Sequence, residues 1–151
     1  MLFIATLTFG GSSSAKAAQN VIAHPGLIEV FTSTDLPIVG EDDKASISKF
    51  SKVNLQIFEL DGIQQIENRL SRGLSSDPVE SRQVVLERFQ QLTHGDRIRV
   101  RSAATGLAKA AQYGVDRYPA IVFDGAFVVY GITDIHSAFI HYQQWLVGQK
   151  P

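Results

Sequence analysis

The chain has 151 residues, 44% of them hydrophobic and 19% charged, which suits one globular domain able to bury a core without covalent staples. A formal net charge of −1 carries no nucleic-acid signature. No cysteine is present, and that excludes disulfides, thiol nucleophiles, zinc–thiolate sites and thiol redox chemistry together.

The N-terminus, "MLFIATLTFGGSSSAKAAQN", has an apolar run from Leu2 to Phe9, then small residues, then Ala15-Lys16-Ala17 in the A-x-A form of a signal-peptidase site. Basic residues are missing before the run, which is too short to span a bilayer. The expectation is a signal peptide over 1–18, cleavage after Ala17 or Ala18, and a domain over 19–151. Leu27 to Thr32, "LIEVFT", reads as a strand rich in β-branched and aromatic residues. "STDLPIVG" is a loop punctuated by Asp35, Pro37 and Gly40. "EDDKASISKF", acidic first and basic later, suits a short helix. Residues 53–60, "VNLQIFEL", alternate as a second strand.

Asp61 is placed to cap a helix from Gly62, with Ile63, Ile66 and Leu70 as its apolar stripe and Gly73 as its stop. Asp77, Pro78 and Glu80 mark the start of the clearest helix, whose inner face is read as Val85, Phe89 and Leu92 with Leu86 beside them. His94-Gly95-Asp96 reads as a turn. A third helix is expected from Arg97 to Tyr113, with Val100, Ala104, Leu107, Ala108 and Ala111 inward, although "RIRVR" also fits the start of a strand and Gly106 weakens the helix. Strands at Ala120–Phe123 and Phe127–Tyr130 follow, joined by Asp124-Gly125 as a two-residue hairpin signal. Thr133 or Asp134 caps a closing helix, with Ile135, Phe139, Tyr142 and Leu146 inward and Trp145 on the flank, half exposed. A β-α-β half, a helical insert at about 62–114 and a β-β-α half predict an α/β fold, a mixed sheet with helices on both faces.

This order, together with "GVDRYPAIVFDGAFVVYG" at 114–131, resembles the thioredoxin-like arrangement. In that arrangement a cis proline precedes a buried strand and a tight hairpin follows. "IEVFTSTDLPIV" resembles a glutaredoxin start in which Pro37 matches the proline of the reactive motif. In that register Leu36 and Val39 fill the cysteine positions, and in a thioredoxin register Asp35 and Ile38 do. More narrowly, "IEVFTSTDLPIVG", "IFELDGIQQIENRLSRGLSSDPVESRQ" and "GVDRYPAIVFDGAFVVYGITD" are similar to thioredoxin-like proteins of integrating conjugative elements, distantly similar to F-type pilin assembly proteins. The resemblance spans roughly 27–140. It implies an exported, periplasmic protein that helps a conjugation or type IV secretion apparatus, with a cis Tyr118-Pro119 bond whose backbone presents an extended peptide.

The candidate partner groove is therefore Asp35, Leu36, Pro37, Tyr118 and Pro119, a place where a peptide adds by strand pairing. Pro119 lacks an N–H and belongs at a strand start in any case. Between Gly62 and Gly114 eight basic residues stand against five acidic ones, and Arg97, Arg99 and Arg101 form the densest knot. They are the candidate basic docking surface for an acidic partner or a membrane surface. No metal, cofactor or catalytic residue is expected. His24, His94, His136 and His141 lack ligand spacing, Asp35, Asp61, Asp77, Asp116, Asp124 and Asp134 fall at turns and caps, and no nucleophile elbow or phosphate loop occurs. The expected function is non-catalytic: a protein-binding or assembly factor in conjugative transfer, with no nucleic-acid partner and no transmembrane segment in the mature chain. The competing reading is a thioredoxin-like oxidoreductase relative that lost its thiols and became a self-associating subunit, a homodimer through a sheet edge or the insert.

Overall fold

Strand β1 (Leu27–Thr32) carries apolar side chains on both faces, so it belongs inside a sheet covered on both sides. The computed structural model, which describes residues 24–40 and 53–149, places it there. β1 pairs in parallel with β2 (Asn54–Glu59), from Leu27 opposite Asn54 to Thr32 opposite Glu59. It pairs antiparallel with β3 (Ala120–Phe123), which in turn pairs antiparallel with β4 (Phe127–Tyr130). The order β2-β1-β3-β4 makes a mixed four-stranded sheet. Three helices lie between β2 and β3: α1 (Gly62–Ser71), α2 (Pro78–Gln90) and α3 (His94–Tyr113). α4 (Ile135–Gly148) closes the chain.

Period-two alternation divides the core between the two faces of the sheet. Ile28, Val30, Ile121 and Phe123 pack against Ile135, Ala138, Phe139 and Tyr142 of α4. Phe31, Phe58, Ala120 and Val122 pack against α3 through Ala110. The molecule is an α/β fold in a thioredoxin-like arrangement, as the order of elements predicts. Among the described residues no helix is long and apolar enough to cross a membrane. The expected signal peptide and the helix expected over "EDDKASISKF" lie outside the described residues.

Strands β1, β3 and β4 have the bounds read from the sequence. Several local expectations are corrected. His94-Gly95-Asp96 is the first turn of α3 rather than a separate turn. The Thr93 hydroxyl accepts from the Asp96 N–H (3.2 Å) and the Thr93 N–H donates to the Asp96 carboxylate (2.9 Å), a capping box built with Asp in place of Glu. The buried face of α3 is Asp96, Ala103, Gly106 and Ala110, so Ala104, Leu107, Ala108 and Ala111 face outward and Val100 is half-buried. The cause is close approach: a Cβ on Gly106 would stand 2.6 Å from the Phe58 Cβ, so the sheet selects the smallest row of the helix.

In α2 the half-buried residues include Val84 and Val85, whereas Phe89, expected inside, is 60% exposed. Among the described residues little covers this helix beyond α1, to which Arg88 ties it by donating to the carbonyls of Leu70 (2.8 Å) and Arg72 (2.7 Å). The β3–β4 connection has three residues, not two, between the paired Phe123 and Phe127. Asp124 and Gly125 both take positive φ, 51° and 67°, and the Ala126 N–H closes the turn on Phe123 (3.0 Å). Trp145 is half-buried and stacks on Phe127, with ring centroids 5.2 Å apart.

Candidate functional site

The last β1–β3 pair, Phe31 opposite Ala120, sets the geometry at one end of the sheet. The chain leaves β1 there into the Ser33–Gly40 loop and enters β3 there through Tyr118-Pro119. All five residues of the expected groove are thus carried to the same end of the sheet, and no hydrogen bond joins the two segments among the described residues. The Tyr118-Pro119 peptide is cis. The Pro119 carbonyl accepts from the Gly131 N–H (2.9 Å), which anchors the proline to the residue that follows β4. Tyr118 is 48% exposed, and its own backbone N–H and C=O make no hydrogen bond among the described residues.

The loop opposite is held at both ends. The Leu36 N–H donates to the Ser33 carbonyl (2.9 Å), and the Thr32 hydroxyl donates to the Leu36 carbonyl (2.5 Å). The Thr34 N–H donates to both Asp61 oxygens (3.2 and 3.3 Å), and Gln65 Nε2 donates to Asp61 Oδ2 (2.8 Å). Asp61 therefore stands at the N-cap position of α1 without capping it by its side chain, a correction to the sequence reading. At the far end Val39 pairs with the start of α4, donating to Thr133 (2.9 Å) and accepting from Ile135 (3.3 Å), and Ile38 is buried in the core. Between these anchors Asp35, Leu36 and Pro37 are exposed, as is Val39. The slots to which the sequence resemblance assigns thiols thus present either the Leu36 and Val39 side chains, both at the surface, or Asp35 at the surface and Ile38 in the core.

Arg97, Arg99 and Arg101 are exposed in the first turns of α3. Arg99 packs across Gly62 and comes within 4.0 Å of Asp96. Arg97 and Arg101 make no ion pair among the described residues. Asp96 is buried, and Arg69 at 2.8 Å, followed by the Thr93 donors, holds its carboxyl well below the usual range. Asp134 caps α4, accepting from the N–H groups of His136 and Ser137 and from the Ser137 hydroxyl, and these bonds lower it too. All four histidines are exposed. Among the described residues no group of three or more His, Asp or Glu is arranged to hold a metal ion.

Sequence reasoning missed one charged cluster. Glu29, in the middle of β1, is fully buried and accepts from Lys109 and from the Tyr113 hydroxyl (2.5 Å) of α3. The Glu29 partnership raises both Lys109 and Tyr113 above their ordinary values. The available signal was an acid inside an otherwise apolar strand, which demands a buried partner.

The fold and this site define the class: an α/β protein of thioredoxin-like arrangement that keeps the cis-proline end of the sheet and has no cysteine. The chain belongs to the family described as "Protein of unknown function (DUF1525)", which it matches over residues 28–147. No curated protein and no solved structure matches it.

Proposed function

We propose that this protein is a non-catalytic, exported binding or assembly factor in conjugative transfer or type IV secretion, and that it grips an extended segment of a partner protein in the groove of Asp35, Leu36, Pro37, Tyr118 and Pro119. The observation that carries the reading is the Tyr118 backbone, exposed with both polar groups unspent among the described residues, opposite a loop that offers Leu36 and no thiol. An extended peptide satisfies such a backbone by strand pairing, and an apolar side chain of that peptide has Leu36 to rest on. The conjugative and periplasmic setting comes from the sequence resemblance. The test is a donor strain carrying Tyr118→Ala together with Leu36→Asp. Transfer frequency and co-purification of transfer proteins should both fall by about tenfold or more, the effect of losing a central contact. Melting temperature should stay unchanged, because both side chains are exposed. Normal transfer with normal co-purification refutes the groove, and an uncleaved cytoplasmic product refutes the export.

A second reading, a self-associating subunit, draws on α2. Val79, Leu86 and Phe89 are exposed on that helix while Val84 and Val85 turn inward, so it is apolar on two sides and packs on one. Light scattering at working concentration separates the readings: a monomer removes the second.

A further inference from the structure

At the start of α1 Asp61 has helical backbone angles, φ −81° and ψ 0°, and its side chain caps nothing in its own first turn. A carboxylate at such a place ordinarily accepts from the first free N–H groups of the helix. Here it turns to the neighbouring loop instead. β1 and β2 run parallel with Thr32 opposite Glu59, so the residues that leave the two strands emerge side by side. Thr34, just past β1, thus meets Asp61, just past β2. The carboxylate takes the Thr34 N–H on both oxygens, and its Oδ1 also takes the Thr34 hydroxyl (3.4 Å). Gln65 Nε2 donates to Asp61 Oδ2 and to the Thr34 hydroxyl oxygen. The other bonds of this loop, from the Leu36 N–H to Ser33 and from the Thr32 hydroxyl to Leu36, stay within the Thr32–Leu36 segment. They fold the turn, and a turn folded only on itself still swings about its stem. Between Ser33 and Ile38 no hydrogen bond to another element exists among the described residues besides those to Asp61 and Gln65.

We infer that Asp61 is a positioning residue for the groove proposed above, and the inference rests on that reading: through Thr34 it fixes the Ser33–Pro37 turn on the sheet, so that Leu36 meets the partner segment in one place. Asp61 itself does not touch the partner. Holding an exposed loop in place beforehand removes its ordering cost from binding. Gln65, one turn further along α1, braces the carboxylate.

The test compares amide hydrogen exchange of the purified full chain with transfer from a donor strain. The reporter is the Leu36 N–H, which bonds to Ser33 and not to Asp61. Asp61→Ala should speed exchange at Leu36 by about fivefold or more and leave Val30 in β1 and Ile66 in α1 unchanged. Transfer frequency should fall by about tenfold. Asp61→Asn keeps an acceptor oxygen for the Thr34 N–H and should restore both. Asp77→Ala removes a comparable exposed tie, the bond from the Val79 N–H (2.8 Å), and should leave transfer at the parent level, which separates positioning from stability. In a Leu36→Asp background Asp61→Ala should lower transfer little further, because the side chain it positions is already gone. Three results overturn the inference: unchanged exchange at Leu36 in Asp61→Ala, parent-level transfer from Asp61→Ala while Tyr118→Ala with Leu36→Asp still lowers it, or a full tenfold drop from Asp61→Ala in the Leu36→Asp background. Normal transfer from the Tyr118→Ala/Leu36→Asp strain instead fails the groove, and this role with it, and that result is read without any change at Asp61.

Discussion

Gly106→Ala gives the sharpest test of how α3 meets the sheet. On an exposed helix the exchange stabilises by roughly 1 kcal/mol, because glycine is the poorer helix former. Here the added Cβ would stand 2.6 Å from the Phe58 Cβ, 2.9 Å from the Phe58 Cγ and 2.9 Å from the Leu60 Cδ2. The leucine methyl can rotate away. The Phe58 Cβ cannot, since it is fixed to β2 and its ring stacks on Phe31 at 5.6 Å. Ordinary carbon contacts begin near ~3.5 Å, so the helix must lift from the strand by several tenths of an ångström to about one ångström. That movement thins the packing of Phe58 and Ala110 and pulls Lys109 and Tyr113 away from Glu29. Overpacking of this kind costs up to about 3 kcal/mol, which leaves a net loss near ~2 kcal/mol after the helix gain. For a chain of this size the melting temperature should fall by about 4–8 °C. Calorimetry or urea melts of Gly106→Ala beside Gly148→Ala, where nothing lies within 4 Å, provide the measurement. Gly148→Ala should be neutral or slightly stabilising. A Gly106→Ala protein as stable as the parent would refute the close contact between α3 and β2.

Lys109→Met should cost about 3 kcal/mol, because it strands the buried Glu29 carboxylate. The Glu29→Gln/Lys109→Met double variant should recover most of that loss, and a fully additive double-mutant cycle in urea melts would show that the pair does not interact. Alkaline stability should fall between pH 10 and 12. Burial, and then the hydrogen bond to Asp124, push Tyr142 up to about 12, so the unfolded chain loses this proton first and the folded state is penalised as pH rises. Tyr142 alone is worth about 2–3 kcal/mol over that range, Lys109 and Tyr113 act in the same direction, and flat urea midpoints across the range would contradict this. Asp124→Asn should lower the pH at which folded Tyr142 ionises and shrink the alkaline loss, while burial keeps part of the shift, as a tyrosinate absorbance titration will register; an unmoved curve would remove Asp124 as a cause.

Much of this fold is legible in the sequence where punctuation is local. β1, β3 and β4 are bounded by Pro, Gly and Asp within a few residues, and their ends follow from backbone chemistry alone. The inward face of α3 is not legible in the same way. Periodicity weighs apolar bulk, and bulk pointed to Val100, Leu107 and their neighbours. What decides the face is the distance to β2, which rewards the small row Ala103, Gly106 and Ala110 and admits Asp96 because Arg69 and Thr93 satisfy it. The inward residues of α2 fail for a related reason: a helix with few contacts leaves Phe89 outside whatever its spacing. Glu29 has its partners 80 and 84 residues away, and no window along the chain connects them. For the candidate groove the loop and the Tyr-Pro step are visible as motifs, but the tether from Thr34 to Asp61 depends on the parallel crossover that brings α1 back beside β1.

The distribution of satisfied and unsatisfied polar groups bears on what the molecule can do. Asp61 accepts from Thr34 and Gln65, Asp96 from Arg69 and Thr93, Asp124 from Gly26, Leu27 and Tyr142, and Asp134 from the first turn of α4. A carboxylate whose lone pairs are filled by fixed donors is a poor proton acceptor, and Asp96 and Asp134 are held ionised rather than poised near neutrality. These hydrogen-bonded acids therefore tie loops and helices together. Among the described residues, groups left open at the surface include the Tyr118 backbone and the guanidinium groups of Arg97 and Arg101. These are solvent-exposed hydrogen-bonding groups and charges, the kind of groups on which the proposed binding role draws. With no cysteine in the sequence, the binding role proposed above rests on this exposed backbone and not on a thiol.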